Sequence, residues 1–214
     1  MKTKLMKFLI AIASLLLASL ACNALGGGAL LEDDFSGSDV TWGTGTDADS
    51  TVEYANGALN FVVNKDLYFV WSTPNDQDYE KIHIEVTAVN NSTDSAAAFG
   101  LICNLQLTNT SYYFAVTDAG EYAIGLYTFA GDTILTNNGQ WNTSSLIKAG
   151  ADSYRIGADC GNNTFTLYMD GQPVDSVTDS TYTSGNVGLF AWSGEELNGT
   201  NVVFDDFVVT KLPE

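Results

Sequence analysis

The chain has 214 residues, of which 26 are acidic and only eight are lysine or arginine, giving a net charge of −18. A surface of that sign repels polyphosphate, which excludes a nucleic-acid partner. High acidity often accompanies disorder, but 45% hydrophobic and 12% aromatic residues are enough to build a full core.

The N-terminus carries Lys2, Lys4 and Lys7, then an unbroken apolar run over 8–17, then Ala18, Ser19 and Ala21 before Cys22. This order predicts a secretory signal peptide over 1–21, with an apolar stretch too short to span a bilayer as a mature helix. A cysteine directly after Ala21 resembles the lipobox of bacterial lipoproteins, in which the cysteine is diacylated and becomes the mature N-terminus. Here Ser19 and Leu20 stand in the reverse of the usual order, and an ordinary cleaved leader with an incidental cysteine is the alternative. The resemblance implies lipidation at Cys22, membrane attachment through that anchor alone, and an extracytoplasmic, secreted place in the cell envelope. Asn23 follows the cysteine, where an Asp often retains such proteins at an inner membrane, so display on the outer surface is expected. Residues 22–31, with three consecutive glycines at 26–28, read as the lipidated cysteine and a flexible tether. Without the leader, five basic face 26 acidic residues and the net charge is −21. Clustered carboxylates in such a chain suit a hard cation such as calcium.

From Glu32 onward the pattern is strands separated by turn residues, and 32–214 reads as one domain. Strands are predicted over 51–55, 58–64, 67–72, 81–89, 96–105, 112–117, 122–128 and 133–135, then over 154–159, 164–169, 173–177, 186–192 and 202–210. Asn56-Gly57, Ala119-Gly120, Asp170-Gly171 and Ser184-Gly185 supply the positive-φ turn chemistry that hairpins need. No window of about 11 residues beyond the leader keeps a helical period. Many short strands at even spacing predict an antiparallel sandwich or barrel.

Alternation assigns faces. Ile82, Ile84, Val86 and Ala88 share one side of their strand, while Lys81, His83, Glu85 and Thr87 share the other; Phe165, Leu167 and Met169 likewise oppose Thr164, Thr166 and Tyr168. Two strands are apolar on both sides. Leu67, Phe69 and Trp71 oppose Tyr68 and Val70, and Val187, Leu189 and Ala191 oppose Gly188, Phe190 and Trp192. Such a strand is either sandwiched or has an aromatic outer face, as a curved sheet with a ligand groove would produce. If Cys22 takes lipid, Cys103 and Cys160 remain as an even pair in an oxidising compartment, either bridged or left as two buried thiols.

The second half of the chain then shows, in order, the segments SYRIGADC (153–160), TFTLYMDGQPV (164–174), TSGNVGLFA (183–191) and VFDDFVV (203–209). This succession resembles the concanavalin A-like lectin/glucanase (laminin G-like) jelly roll. It is nearest to the version in bacterial surface lipoproteins related to the 3-keto-disaccharide hydrolase domain, in which a hairpin reading L-Y-V-N-G precedes G-x-V-G-L and a closing F-D-N-F strand. The chain departs mildly, with Asp170-Gly171 in place of Asn-Gly. The resemblance implies an all-β, antiparallel two-sheet jelly-roll sandwich. It also implies a Cys103–Cys160 disulfide, because the family often pairs a G-L-x-C strand with an A-D-C strand, matched by 100–103 and 158–160. Glucanase relatives hold a structural calcium where first and last strands meet, on backbone carbonyls near the N-terminus, a Gly carbonyl of the next strand and an Asp of the final strand; the matching positions are Asp33 and Asp34, Gly57, and Asp206. The other reading of Asp205 and Asp206 is an alternating strand end with one solvated carboxylate.

Glycoside hydrolysis needs two carboxyls, about 5–5.5 Å apart for retention or about 6.5–9.5 Å for inversion. The paired-acid strand motif of family 16 glucanases is absent. Glu80 and Glu85 fall on opposite faces of a strand. His83 and Glu85 share a face and read as an exposed polar surface with a lone histidine. Glu195 and Glu196 lie in a loop without a visible partner. No nucleophile triad, zinc spacing or phosphate loop is present. The expectation is therefore a non-catalytic, carbohydrate-binding or adhesion-type surface module whose partner is a glycan or surface polymer. Tyr68, Phe190 and Trp192 are the expected sugar platforms, with Trp71 and Trp141 at the rim. A protein–protein or envelope scaffold module is the alternative, and a glycoside hydrolase-like enzyme the second.

Overall fold

A computed structural model describes residues 28–37 and 39–213; residues 1–21, expected to be a signal peptide, and Cys22, the expected lipidation position, lie outside them. The described residues contain no helix and sixteen strands: β1 (Leu31–Asp33), β2 (Gly45–Thr46), β3 (Ser50–Ala55), β4 (Ala58–Val63), β5 (Phe69–Ser72), β6 (Ile82–Asn90), β7 (Ala98–Leu105), β8 (Ser111–Thr117), β9 (Glu121–Thr128), β10 (Gly131–Ile134), β11 (Asn142–Thr143), β12 (Tyr154–Gly161), β13 (Thr164–Met169), β14 (Gln172–Thr178), β15 (Asn186–Trp192) and β16 (Thr200–Lys211). They form two antiparallel sheets packed face to face. The larger has nine strands in the order β14-β13-β12-β6-β16-β4-β3-β2, with β1 added against β16. The smaller has seven, β10-β9-β8-β7-β15-β5, with β11 added against β9. This is the two-sheet jelly roll.

The core follows from the alternation. In β6, Ile82, Ile84, Val86 and Ala88 are fully buried between the sheets, while His83, Glu85 and Thr87 face outward. β13 repeats the pattern through Phe165, Leu167 and Met169. Aromatic pairs fill the interior: Phe61 against Phe204, Trp42 against Phe207, and Tyr112 stacked on Phe165. The disulfide between Cys103 on β7 and Cys160 on β12 crosses the core from one sheet to the other, with Cα atoms 6.6 Å apart.

Two features position the surfaces that matter. β16 pairs with β6 from Val202 to Lys211, and its other edge is shared first by β4 (at Thr200 to Phe204) and then by β1 (at Phe207 to Val209). The register slips between Asp205 and Val208, with Asp206 at φ 51°, so a bulge sits where β4 gives way to β1. β5 begins at Phe69 rather than at 67, because Leu67 adopts φ 49° and the Tyr68 amide is taken by the Ser193 hydroxyl. Within β5, Val70 and Ser72 point into the core and Phe69 and Trp71 point outward.

Candidate functional site

The outer face of the smaller sheet is apolar. Residues paired across strands share a face, so the register places Trp71, Phe190, Gly100, Ala115 and Ala123 in one row across β5, β15, β7, β8 and β9. The next row is Gly188, Ile102, Tyr113, Gly125 and Ile134. Small residues between the rings let aromatic side chains lie flat on the sheet. A Cβ on Gly125 would stand 2.2 Å from the Tyr113 ring, so that ring occupies the space a side chain would otherwise fill.

The sheet curves strongly toward this face. β5 and β9 are four strands apart, yet the Phe69 ring stacks on Tyr127 at 5.5 Å with 8° between planes, and also on Phe190 at 5.0 Å. Rings from distant strands thus meet across the concavity. Beside this stack lies a groove of about 480 Å³, lined by Leu67, Tyr68, Phe69, Trp71, Tyr113, Ala115, Tyr127, Asp132, Phe190 and Trp192. Its size falls within the ~300–1,000 Å³ of small-ligand sites. Trp141, just before β11, has its ring 6.4 Å from that of Trp192, extending the aromatic wall. Asp132 supplies the one carboxylate of the lining and accepts the Tyr113 hydroxyl at 2.7 Å. Partial burial raises the pKa of that carboxyl and of the Tyr113 phenol. The Lys65 ammonium stands 4.6 Å over the Tyr68 ring and pairs with Asp49 at 3.0 Å.

Sequence reasoning named five aromatic residues, and the structure brings them together with two corrections. Alternation set Tyr68 and Val70 on the outer face of their strand. Instead Val70 is in the core, Phe69 and Trp71 face outward, and Tyr68 precedes the strand and borders the groove from its end. Phe190, 1% exposed, is the floor under Phe69 and not an open platform. Trp71 is 39% exposed, and Trp141 and Trp192 are half-buried. Phe69, Tyr113, Tyr127 and Asp132 were missed. The available signal was the segment 111–117, SYYFAVT, apolar on both faces, with Gly125 on the neighbouring strand.

His83, expected on an exposed polar face, belongs instead to a bonded network on the outer face of the larger sheet. Its Nδ1 is 2.6 Å from Asp159 and its Nε2 3.2 Å from Glu85; Arg155 bonds Glu85 at 2.9 Å, and Tyr168 donates to Asp159 at 2.7 Å. Burial alone would depress the imidazole pKa, but hydrogen bonds to Asp159 and Glu85 outweigh it and raise the pKa to about 9. Glu85 is held down at about 2, chiefly by His83 and also by Arg155, against the opposing effect of burial. With both nitrogens bonded to carboxylates, this imidazolium has no free lone pair for general base catalysis. Glu196 also has a partner, the Thr93 hydroxyl at 3.0 Å.

The positions expected to hold calcium meet at the β16 bulge. Asp33 pairs with Phe207, and the Asn56-Gly57 hairpin turn lies just beyond the Leu59–Phe204 pair. The Asp33 and Asp34 carboxylates and the Asp206 carbonyl already have partners. Asp33 accepts the Trp42 indole N–H at 2.8 Å and the Phe35 amide at 2.9 Å; Asp34 accepts both the amide and hydroxyl of Ser36. The Asp206 carbonyl accepts the Arg155 guanidinium at 2.7 Å, placing a fixed cation at the bulge. No group of three or more His, Cys, Asp or Glu side chains is arranged to hold a metal among the described residues. These side chains do not fit a carboxylate-built calcium site.

No protein-family model matches the sequence, and no curated protein matches it either. Solved structures do. Carbohydrate-binding module CBM66 from Bacillus subtilis superposes with TM-score 0.64 at 14% identity, over 81% of this chain and 98% of that one. A Bacillus subtilis protein of unknown function with a galectin-like fold gives 0.62 at 12% identity, over 87% and 97%. Bacillus licheniformis β-glucanase gives 0.61 at 15% identity, over 87% and 99%. The chain shares with these structures the antiparallel two-sheet jelly-roll fold.

Proposed function

We propose that this protein is a non-catalytic, carbohydrate-binding or adhesion-type module, displayed on a bacterial surface by a lipid at Cys22. The observation that carries the reading is the concave aromatic groove around Trp71 and Trp192, with rings suited to pyranose faces and Asp132 to hydroxyls. The fold is shared with a carbohydrate-binding module and with glucanases, which supports the reading. Against hydrolysis stands the single carboxylate in the groove lining, where two are needed. Kinship with surface lipoproteins and the 3-keto-disaccharide hydrolase domain is part of the proposal and rests on the four segments of the second half. One acyl chain holds a protein only marginally, so the anchor is expected to be at least diacylated.

A glycan array, run with and without calcium, tests the reading. Binding lost in Trp192→Ala with the fold intact supports it; silence across plant, algal and bacterial glycans rejects it, and polysaccharide turnover abolished by Glu85→Gln would show an enzyme. Unchanged membrane fractionation of Cys22→Ser would remove the anchor. One observation favours the scaffold alternative. Leu107 and Phe129 are fully exposed on the β7–β8 and β9–β10 turns, which the Ser111–Tyr127 pairing puts at the same end of the sheet.

A further inference from the structure

We infer that the glycan is an uncharged chain that continues past Trp71 into a second, polar subsite; this rests on the glycan-binding reading of the groove. On the other side of Trp71 lies a concavity of about 360 Å³, and Trp71 is the one residue that lines both it and the groove. The Phe69–Tyr127 stack closes the space beneath, where only about 10 Å³ remains. The exposed Trp71 ring is therefore the surface shared by the two concavities.

Their chemistry is complementary. The groove is walled by rings, whereas the second concavity presents Asp76, Asp78 and Asn109, whose side chains make no hydrogen bond to any described residue. Free acceptors and amides beside an exposed ring are what a sugar chain needs: a face to stack on, then partners for its hydroxyls. The charge selects among glycans. Of the cations among the described residues, Lys65, Lys81, His83, Lys148, Arg155 and Lys211, none lines either concavity, Lys65 over the Tyr68 ring being paired with Asp49, whereas Asp76, Asp78 and Asp132 do. A polyuronate or sulfated chain would meet like charge at both ends of the site.

Isothermal titration with cello-, laminari-, xylo- and fructo-oligosaccharides, each from disaccharide to hexasaccharide, tests this. In a series that binds, affinity is expected to rise about tenfold with length, the worth of one or two added hydrogen bonds. In the Asp76→Ala/Asp78→Ala double variant the hexasaccharide-to-disaccharide affinity ratio is expected to fall to near one, with an unchanged melting temperature as the control for folding. Affinity flat with length, a ratio unmoved by the double variant, or oligouronates bound as tightly as neutral chains would each overturn the inference while leaving the groove standing. No binding in any series would overturn the groove reading, and this inference with it.

Discussion

His83 is the single imidazole of the chain, so its titration can be followed without resonance assignment. Two carboxylates, Asp159 and Glu85, hold it protonated with a pKa near 9. A folded-state pKa above the unfolded value gives stability that is complete below about pH 6.5 and is lost as pH rises through about 9. Glu85 has the opposite sign: its depressed value near 2 gives stability that is complete above about pH 4.5 and is lost as pH falls toward 2. The network is thus fully stabilising only between these limits. Proton NMR of the imidazole is expected to show a midpoint near 9; a midpoint near 6.5 would mean the carboxylates do not engage it. His83→Ala is expected to cost about 1–2 kcal/mol at weakly acidic pH and little above about pH 10, measured by denaturant unfolding at both.

Among the elements, β7 and β12 carry the largest covalent constraint, because Cys103–Cys160 joins the two sheets through a 57-residue separation. In the chain-entropy model that closure contributes about 4 kcal/mol. Cys103→Ala/Cys160→Ala is therefore expected to lower the melting temperature by roughly 8–16 °C for a domain of this size. An equal melting temperature with and without reductant would contradict it. β16 depends on a different device. Its bulge frees the Asp206 carbonyl, which Arg155 reaches from β12 while also bonding Glu85 and Thr87 on β6. Because the Arg155 guanidinium already stands at the bulge on the Asp206 carbonyl, chelation is expected to leave the melting temperature unchanged, whereas Arg155→Ala costs about 1–3 kcal/mol. A marked loss of stability in chelator would place a metal at the bulge after all.

For the whole molecule, curvature and charge act together. The smaller sheet bends until rings four strands apart stack, which makes a concave aromatic face, and the overall charge of −18 surrounds that face with a field hostile to anions. Binding of a neutral glycan by stacking and hydrogen bonding involves no net charge pairing. Its affinity is expected to stay within about twofold between low salt and about 0.5 M. A steep loss of affinity with salt, measured by the same titration, would show that ionic contacts carry the binding.

Composition, turn residues and period-two alternation were enough to establish an all-β sandwich or barrel and the inner face of β6 and β13, because a strand with one polar side can bury only the other. The segments of the second half carried the jelly-roll order and the pairing of Cys103 with Cys160. Where both sides of a strand are apolar, alternation has nothing to choose between. Tyr68 was therefore set with Val70 on the outer face, whereas packing buries Val70 and leaves Phe69 and Trp71 outward, and the positive φ of Leu67 delays β5 to Phe69. Trp71, Trp141 and Trp192 were legible as rings, but not which of them would stand open. The Phe69–Tyr127 stack, the burial of Phe190 beneath it and the Asp159–His83–Glu85 contacts join strands far apart in sequence. Sheet order and curvature alone bring those residues together, so only the tertiary structure decided them.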